Sequence, residues 1–245
     1  MKEQIENAIE LIKKQKFDGC ITGSCLLDYF EGQDIDIFCY NENSFTKIIN
    51  FFHYNPLFLI LDKLEQYKFD EYIDKGKSSL DRLNLISIKF KYNLCIDINV
   101  IYKKYQKDVF GVISNFDFDI VACGYDIQTG KTLSLRETTG KECTWNKWNP
   151  FYSNLDVWNV RRLLRQFDRV IKYTNRGYNM ASVVDKYIEM TESIIEMDNI
   201  YKTERGNKYY NDTKEQFKIL LKILQVWKKD QTISDKELEI LRGLI

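Results

Sequence analysis

The chain has 245 residues, 44% hydrophobic and 29% charged, which is enough apolar material to build a core and too much for a disordered chain. Lys and Arg together number 36, as do Asp and Glu, so the formal charge is zero and any anion site must come from local clustering. A single histidine, His53, rules out histidine-rich metal sites and leaves Ser–His–Asp or Cys–His catalysis without its partners.

Apolar spacing predicts the elements. Ile5, Ala8, Ile9 and Ile12 recur at helical intervals and predict an amphipathic helix over residues 3–16. "FDGCITGS" reads as a short strand ending in Gly23, "CLLDYFEG" as a short helix closing at Gly32, and "DIDIFCY" as a strand. Residues 44–52 and 57–67 are expected to be helices, the second opened by Pro56. From Leu83 the period changes to two. "LNLISIKFKY" and "LCIDINVIY" predict a hairpin turning near Tyr92 and Asn93, and "FDFDIVACGYDIQTGKTLSL" predicts another turning at "QTG". Past "WNKWNPFYSN" the pattern is helical, over residues 154–175, 181–200, 211–229 and 234–243. The expected fold class is α+β, a mixed sheet flanked by helices in residues 1–150 followed by an all-helical domain in residues 151–245. The N-terminus lacks the apolar stretch of a signal peptide, and no apolar run reaches membrane-spanning length. Cys20, Cys25, Cys39, Cys95, Cys123 and Cys143 form no CxxC pair. A cytoplasmic chain with buried thiols and no membrane partner is the expectation.

The chemistry-bearing stretch is "GSCLLDYFEGQDIDIFC". Alternation puts Asp34, Asp36 and Phe38 on one strand face, with Ile35, Ile37 and Cys39 on the other. Two like charges on one face are unfavourable unless a cation lies between them. Mg²⁺ takes oxygen ligands, typically one or two carboxylates plus substrate phosphates. Nine residues separate this pair from Gly23-Ser24 at a strand exit. Glycine there lets the backbone approach a phosphate, and the Ser24 hydroxyl with nearby N–H groups can bind its oxygens. Asp117 and Asp119 form a second acidic pair, but nothing like Gly-Ser precedes them. A two-metal phosphoryl displacement calls for a third carboxylate. Asp97 in "NLCIDINVI" is the candidate, sharing a face with Cys95 and Asn99, and Asp117 or Asp119 is the alternative.

Gly-Ser, nine residues, Asp-hydrophobic-Asp-hydrophobic and a later strand Asp resemble the polymerase β-type nucleotidyltransferase superfamily. Its members include CCA-adding enzymes, kanamycin-type antibiotic nucleotidyltransferases, oligoadenylate-synthase-like enzymes and protein adenylyltransferases. The resemblance covers roughly residues 17–102. It implies a polymerase β-like core and a helical domain after it. Asp34, Asp36 and Asp97 would be catalytic ligands of two Mg²⁺ ions, with Mn²⁺ as a substitute, and Asp97 would help deprotonate the attacking hydroxyl. Gly23 and Ser24 would hold the triphosphate of an NTP such as ATP. The implied reaction moves a nucleoside monophosphate to a hydroxyl and releases pyrophosphate. The chain departs from antibiotic-modifying relatives in lacking a basic residue soon after Gly-Ser and in carrying Gln33 before the first Asp. "FDFDIVACGYD" and "IKYTNRGY" also resemble nucleotidyltransferase-like proteins of phages and large DNA viruses.

One basic cluster stands out. Arg161, Arg165, Arg169, Lys172 and Arg176 fall at spacings of four, four, three and four, a single helical stripe opposite Val160, Leu163, Leu164, Phe167, Val170 and Ile171. Such a stripe suits a triphosphate or a polynucleotide, with Tyr173 or Tyr178 placed to stack on a base. It favours an RNA or DNA end as acceptor over a protein hydroxyl or a small molecule. The rival is a non-catalytic module of the same fold that binds nucleotide or a partner protein.

Overall fold

The computed structural model describes residues 2–27, 33–60, 65–66, 85–150, 160–196, 214–230, 239–240 and 243. The chain divides into two compact units, one ending at Arg136 and the other taking the chain from Glu137 onward, so that Pro150 lies within the second.

In the first unit, helix α1 (Lys2–Lys13) buries the predicted Ile5, Ala8, Ile9 and Ile12. Strand β1 (Gly19–Thr22) leads into a 3-10 turn over Gly23–Leu26, then β2 (Ile35–Cys39) and helix α2 (Glu42–Tyr54). Asn41 caps α2 by accepting the Ser44 N–H at 2.8 Å. β3 (Phe58–Ile60) and β4 (Glu65–Gln66) precede the long hairpin of β5 (Leu85–Tyr92) and β6 (Ile96–Lys103). A short helix α3 (Val109–Ile113) and a 3-10 turn over Asp119–Val121 lead to β7 (Cys123–Asp126) and β8 (Thr132–Ser134).

These strands make one mixed sheet in the order β3-β5-β6-β2-β1-β7-β8, with β4 also paired to β5. Among the described residues, its one parallel seam joins β2 to β6, and the other strand pairings are antiparallel. The expected α+β class with a mixed sheet and flanking helices is what the chain adopts. Alternation sorts the faces. Ile35 and Ile37 of β2 and Ile96, Ile98 and Val100 of β6 join Ile21, Ile12 and Ile48 in the main core with α1 and α2. On the opposite face, Cys20, Val112 and Ile113 form a smaller cluster under α3, with Phe38 packed against it. Gly124 makes this possible. A Cβ there would lie 2.5 Å from Val109 Cγ2, so any larger residue would push α3 off the sheet. Beyond the part covered by α3, this face carries Asp36 and Asn99.

Three expectations meet a different structure, and one element was not expected. Of the predicted helix at residues 57–67, the described parts are extended instead, with Phe58–Ile60 and Glu65–Gln66 in strands, and residues 61–64 and 67 lie outside the described residues. Pro56 follows the end of α2, and Phe58 enters a strand because its ring stacks on Phe52 at 4.2 Å while its backbone pairs with Tyr92. Tertiary packing overrides the helical reading of this short apolar run. At the start of the predicted helix over residues 25–32, Cys25 and Leu26 lie in a 3-10 turn that begins at Gly23, and residues 28–32 lie outside the described residues. Asp117 and Asp119 stand before and within a 3-10 turn, with the strand starting later at Cys123. The five-residue α3, capped by Asp108, went unpredicted because it is too short to show a period.

The β5–β6 turn places Asn93 and Leu94 at φ 47° and 60°, the left-handed region that both central residues of a type I′ turn require. Leucine is strained there, and at 73% exposure it gains little from packing. Leu94→Gly is therefore expected to stabilise the protein by about 0.5–1 kcal/mol, the relief of strain exceeding the entropy glycine adds to the unfolded chain. An unchanged or lower urea midpoint would show that the turn tolerates leucine without cost.

In the second unit, the described regular elements are helices α4 (Val160–Asn175), α5 (Ala181–Glu196) and α6 (Lys214–Asp230). They fall within the predicted helices of residues 154–175 and 181–200, and α6 overlaps that of 211–229. Residues 154–159 and 197–200 lie outside the described residues, as does most of the predicted helix at 234–243. α4 buries Val160, Leu163, Leu164, Phe167 and Val170, and Phe167 meets Trp227 of α6 edge-on at 6.1 Å. Trp145 packs edge-on against Tyr187 of α5 at 4.9 Å and donates its indole N–H to the Val183 carbonyl at 3.4 Å.

Candidate active site

Strand register assembles the site. β1 and β2 run antiparallel with Thr22 opposite Asp36, so the chain leaving β1 at Gly23 turns directly beside that carboxylate. Gly23 has φ +83°, which an L side chain rarely adopts, and a Cβ built on it would lie 3.6 Å from Asp36 Oδ2. The residue after it, Ser24, is buried. Gln33 braces the turn. Its Nε2 donates to the Ser24 carbonyl at 2.7 Å, and the Leu27 N–H reaches the same oxygen at 3.1 Å. Gln33 therefore ties the Gly-Ser turn to the start of the acidic strand, immediately before Asp34.

On the other side of β2, the parallel seam sets Asn99 opposite Asp36. The Asn99 amide nitrogen donates to Asp36 Oδ1 at 2.8 Å and to Asp34 Oδ2 at 3.4 Å. Both aspartates are partly exposed on the polar face, while Ile35 and Ile37 beside them are fully buried. The predicted division of faces holds for this strand.

Asp97 lies on the same face of β6, one alternation before Asn99, and is exposed. Its carboxylate pairs with Lys91 of β5 at 3.2 Å. Asp117 and Asp119, the alternatives, are both buried. Among the described residues, no three or more His, Cys, Asp and Glu side chains gather as a metal-holding group. The structure thus brings Asp34, Asp36 and the Gly23-Ser24 turn together, and it leaves Asp97 on Lys91. Two carboxylates from one strand are a donor set that Mg²⁺ accepts when substrate oxygens complete its shell.

Two thiols lie under the turn. Cys25 donates to the Thr22 carbonyl at 3.2 Å and Cys123 to the Gly23 carbonyl at 3.6 Å. Burial, then the nearby Asp36 carboxylate, pushes the Cys25 thiol well up. Burial lifts that of Cys123 to about 11. Both thiols are buried and bonded to backbone carbonyls of the turn, the setting of a packed structural cysteine.

The basic stripe lies on α4 of the second unit. Arg165, Arg169 and Lys172 are exposed and Arg176 is partly buried, while the Arg161 side chain lies outside the described residues. Arg176 sits over the Tyr173 ring, 5.5 Å from its centroid. Tyr173 and Tyr178 are buried and meet edge-on at 6.0 Å. They are core residues, not an open stacking platform for a base.

Alternation had set Asn99 on the face of Asp97, but its contact with both aspartates depends on which strand β6 pairs with. Nothing in the sequence marks Gln33 as a brace. Among the described residues, no helix is long and apolar enough to cross a membrane. A family model described as Gad2, Gabija anti-defense 2 family protein, matches residues 1–149, which span the first unit and the start of the second. A comparison with curated proteins finds no match.

Proposed function

This chain belongs to the Gabija anti-defense 2 family, and from that premise we propose that it counters the Gabija defence as a metal-dependent nucleotidyltransferase. The supporting observation is the Gly23 turn set against Asp36, with Asp34 joined to the same Asn99 amide. This juxtaposition is what the resemblance to polymerase β-type enzymes requires of its first two motifs, and it supports the finer reading of the sheet as a nucleotidyltransferase core.

In this reading Asp34 and Asp36 would hold Mg²⁺, which would supply positive charge against that developing on the transferred phosphoryl group. The Gly23-Ser24 backbone lies close enough to Asp36 to receive the triphosphate of an NTP. An acceptor hydroxyl oxygen bonds to the α-phosphorus, and the bond from that phosphorus to the bridging oxygen breaks. Pyrophosphate leaves with the electron pair. The hydroxyl proton passes to a carboxylate or to water. Asp97 is a further acid on this face, and its use would require release from Lys91. Positioning and charge neutralisation, not covalent chemistry by a side chain, supply the rate. The exposed cations of α4 would bind a phosphate backbone, which keeps a nucleic-acid end as the favoured acceptor.

The Lys91–Asp97 pair favours a second reading, a module of the same fold that binds nucleotide or a partner protein without turnover. The test is to incubate the full chain with each labelled NTP, Mg²⁺ or Mn²⁺, and candidate acceptors. These are RNA and DNA ends and the components of the Gabija defence. Release of pyrophosphate with label on one acceptor is the expected result. Nucleotide binding without pyrophosphate release under every condition would establish the module instead.

A further inference from the structure

We propose that Asn99 is a positioning residue for the Asp34–Asp36 pair, its one amide nitrogen holding both carboxylates at a shared cation position before any cation binds. The inference rests on reading that pair as metal-holding. Asp34 and Asp36 leave β2 on the same side, so their charges repel. The Asn99 nitrogen offsets this by donating to Asp36 Oδ1 at 2.8 Å and Asp34 Oδ2 at 3.4 Å, using both of its N–H bonds. The donor is neutral. A lysine or arginine in its place would occupy the pair as its own counter-ion, as Lys91 does for Asp97 at 3.2 Å.

The backbone holds this amide in place. Ile98 and Val100 flank Asn99 and are fully buried, and β6 pairs with β5 along its length and with β2 from Ile98 to Tyr102. The amide contacts Asp36 through Oδ1, and the other oxygen, Oδ2, is the one turned toward Gly23. Asn99 thus holds one edge of the carboxylate and directs the other to the turn where phosphates would lie. Residues that fix a ligand's orientation in this way typically change metal affinity about 10- to 100-fold when removed.

The test titrates the full chain with Mn²⁺ alone, reading free Mn²⁺ by electron paramagnetic resonance, for the natural sequence, Asn99→Ala and Asp36→Asn. Asn99→Ala is expected to weaken Mn²⁺ binding about 10- to 100-fold. In NTP assays its kcat should fall more than its KM changes, with saturating Mn²⁺ restoring much of the rate. A merely structural defect would not recover with metal. Asn99→Thr, a good strand former whose hydroxyl reaches at most one carboxylate, covers the case in which alanine unfolds the strand. The same loss is expected of it. If Asp36→Asn loses Mn²⁺ while both Asn99 variants bind it like the natural chain, the role of Asn99 is overturned and the metal-holding pair stands. If the natural chain binds no Mn²⁺, the reading of the pair fails, and this inference fails with it.

Discussion

Asp36→Asn is expected to lower nucleotidyl transfer by about two to three orders of magnitude or more while leaving the fold at least as stable. On the proposed function, the activity loss follows from removing a fixed charge from the proposed reacting centre, where each preorganised partner contributes on that scale. The stability expectation runs the other way. Asp36 shares the Asn99 amide with Asp34, so two like charges meet at this neutral donor. An asparagine removes one charge, keeps the volume and still accepts from Asn99 through its own carbonyl. The variant should therefore melt at or above the natural temperature, as expected where a site is strained by its function. The pair of measurements is the point. Lost activity with an unchanged or raised melting temperature assigns Asp36 to chemistry. Unchanged transfer would remove Asp36, and with it the nucleotidyltransferase reading. A clear loss of melting temperature would mean that the carboxylate holds the fold together.

The largest stability effect is expected at Phe52, in the last turn of α2. Its side chain is fully buried, stacks on Phe58 at 4.2 Å and meets Phe90 edge-on at 4.9 Å. These contacts clamp α2 to β3 and β5, the outer end of the sheet. Phe52→Ala should cost about 3–5 kcal/mol, the usual range for emptying a buried phenylalanine site. That is a large part of the stability of an ordinary domain. Phe52→Leu, which refills part of the volume, should cost clearly less. Urea unfolding, followed at the tyrosines and tryptophans, reads both. A cost below about 1 kcal/mol for the alanine variant would mean that the aromatic cluster collapses around the gap and carries little of the fold.

What could be read from residues alone was whatever depends on period. "DIDIFC" alternates strictly, so the partition of Asp34 and Asp36 from Ile35 and Ile37 followed without any knowledge of neighbours. The same is true of α1 and of α4, where apolar and basic stripes separate cleanly. What depends on partners was not readable. Phe58 belongs to a strand because Phe52 and Tyr92 are waiting for it, and the five-residue apolar run of residues 57–61 carries no sign of that. Asn99 is one polar residue among many until the parallel seam sets it beside Asp36. Asp97 shows the converse. Spacing nominated it, and the hairpin that pairs Lys91 with it supplies a competing counter-ion that spacing could not register.

The parallel seam also has a kinetic meaning. β5 and β6 close through a tight turn, and β1 meets β2 within a short stretch of chain, so both pairs form at little loop-closure cost. The Asn99–Asp36 contact spans 63 residues, and the two halves of the candidate site meet only when that loop closes. Contacts of such sequence separation are characteristically late in folding. A chain stalled before this step would hold its hairpin and its helices, yet its two aspartates would repel each other with no amide between them. Assembly of the site therefore reports that β2 and β6 have joined, and a chain stalled before that step lacks the arrangement of the two aspartates around Asn99.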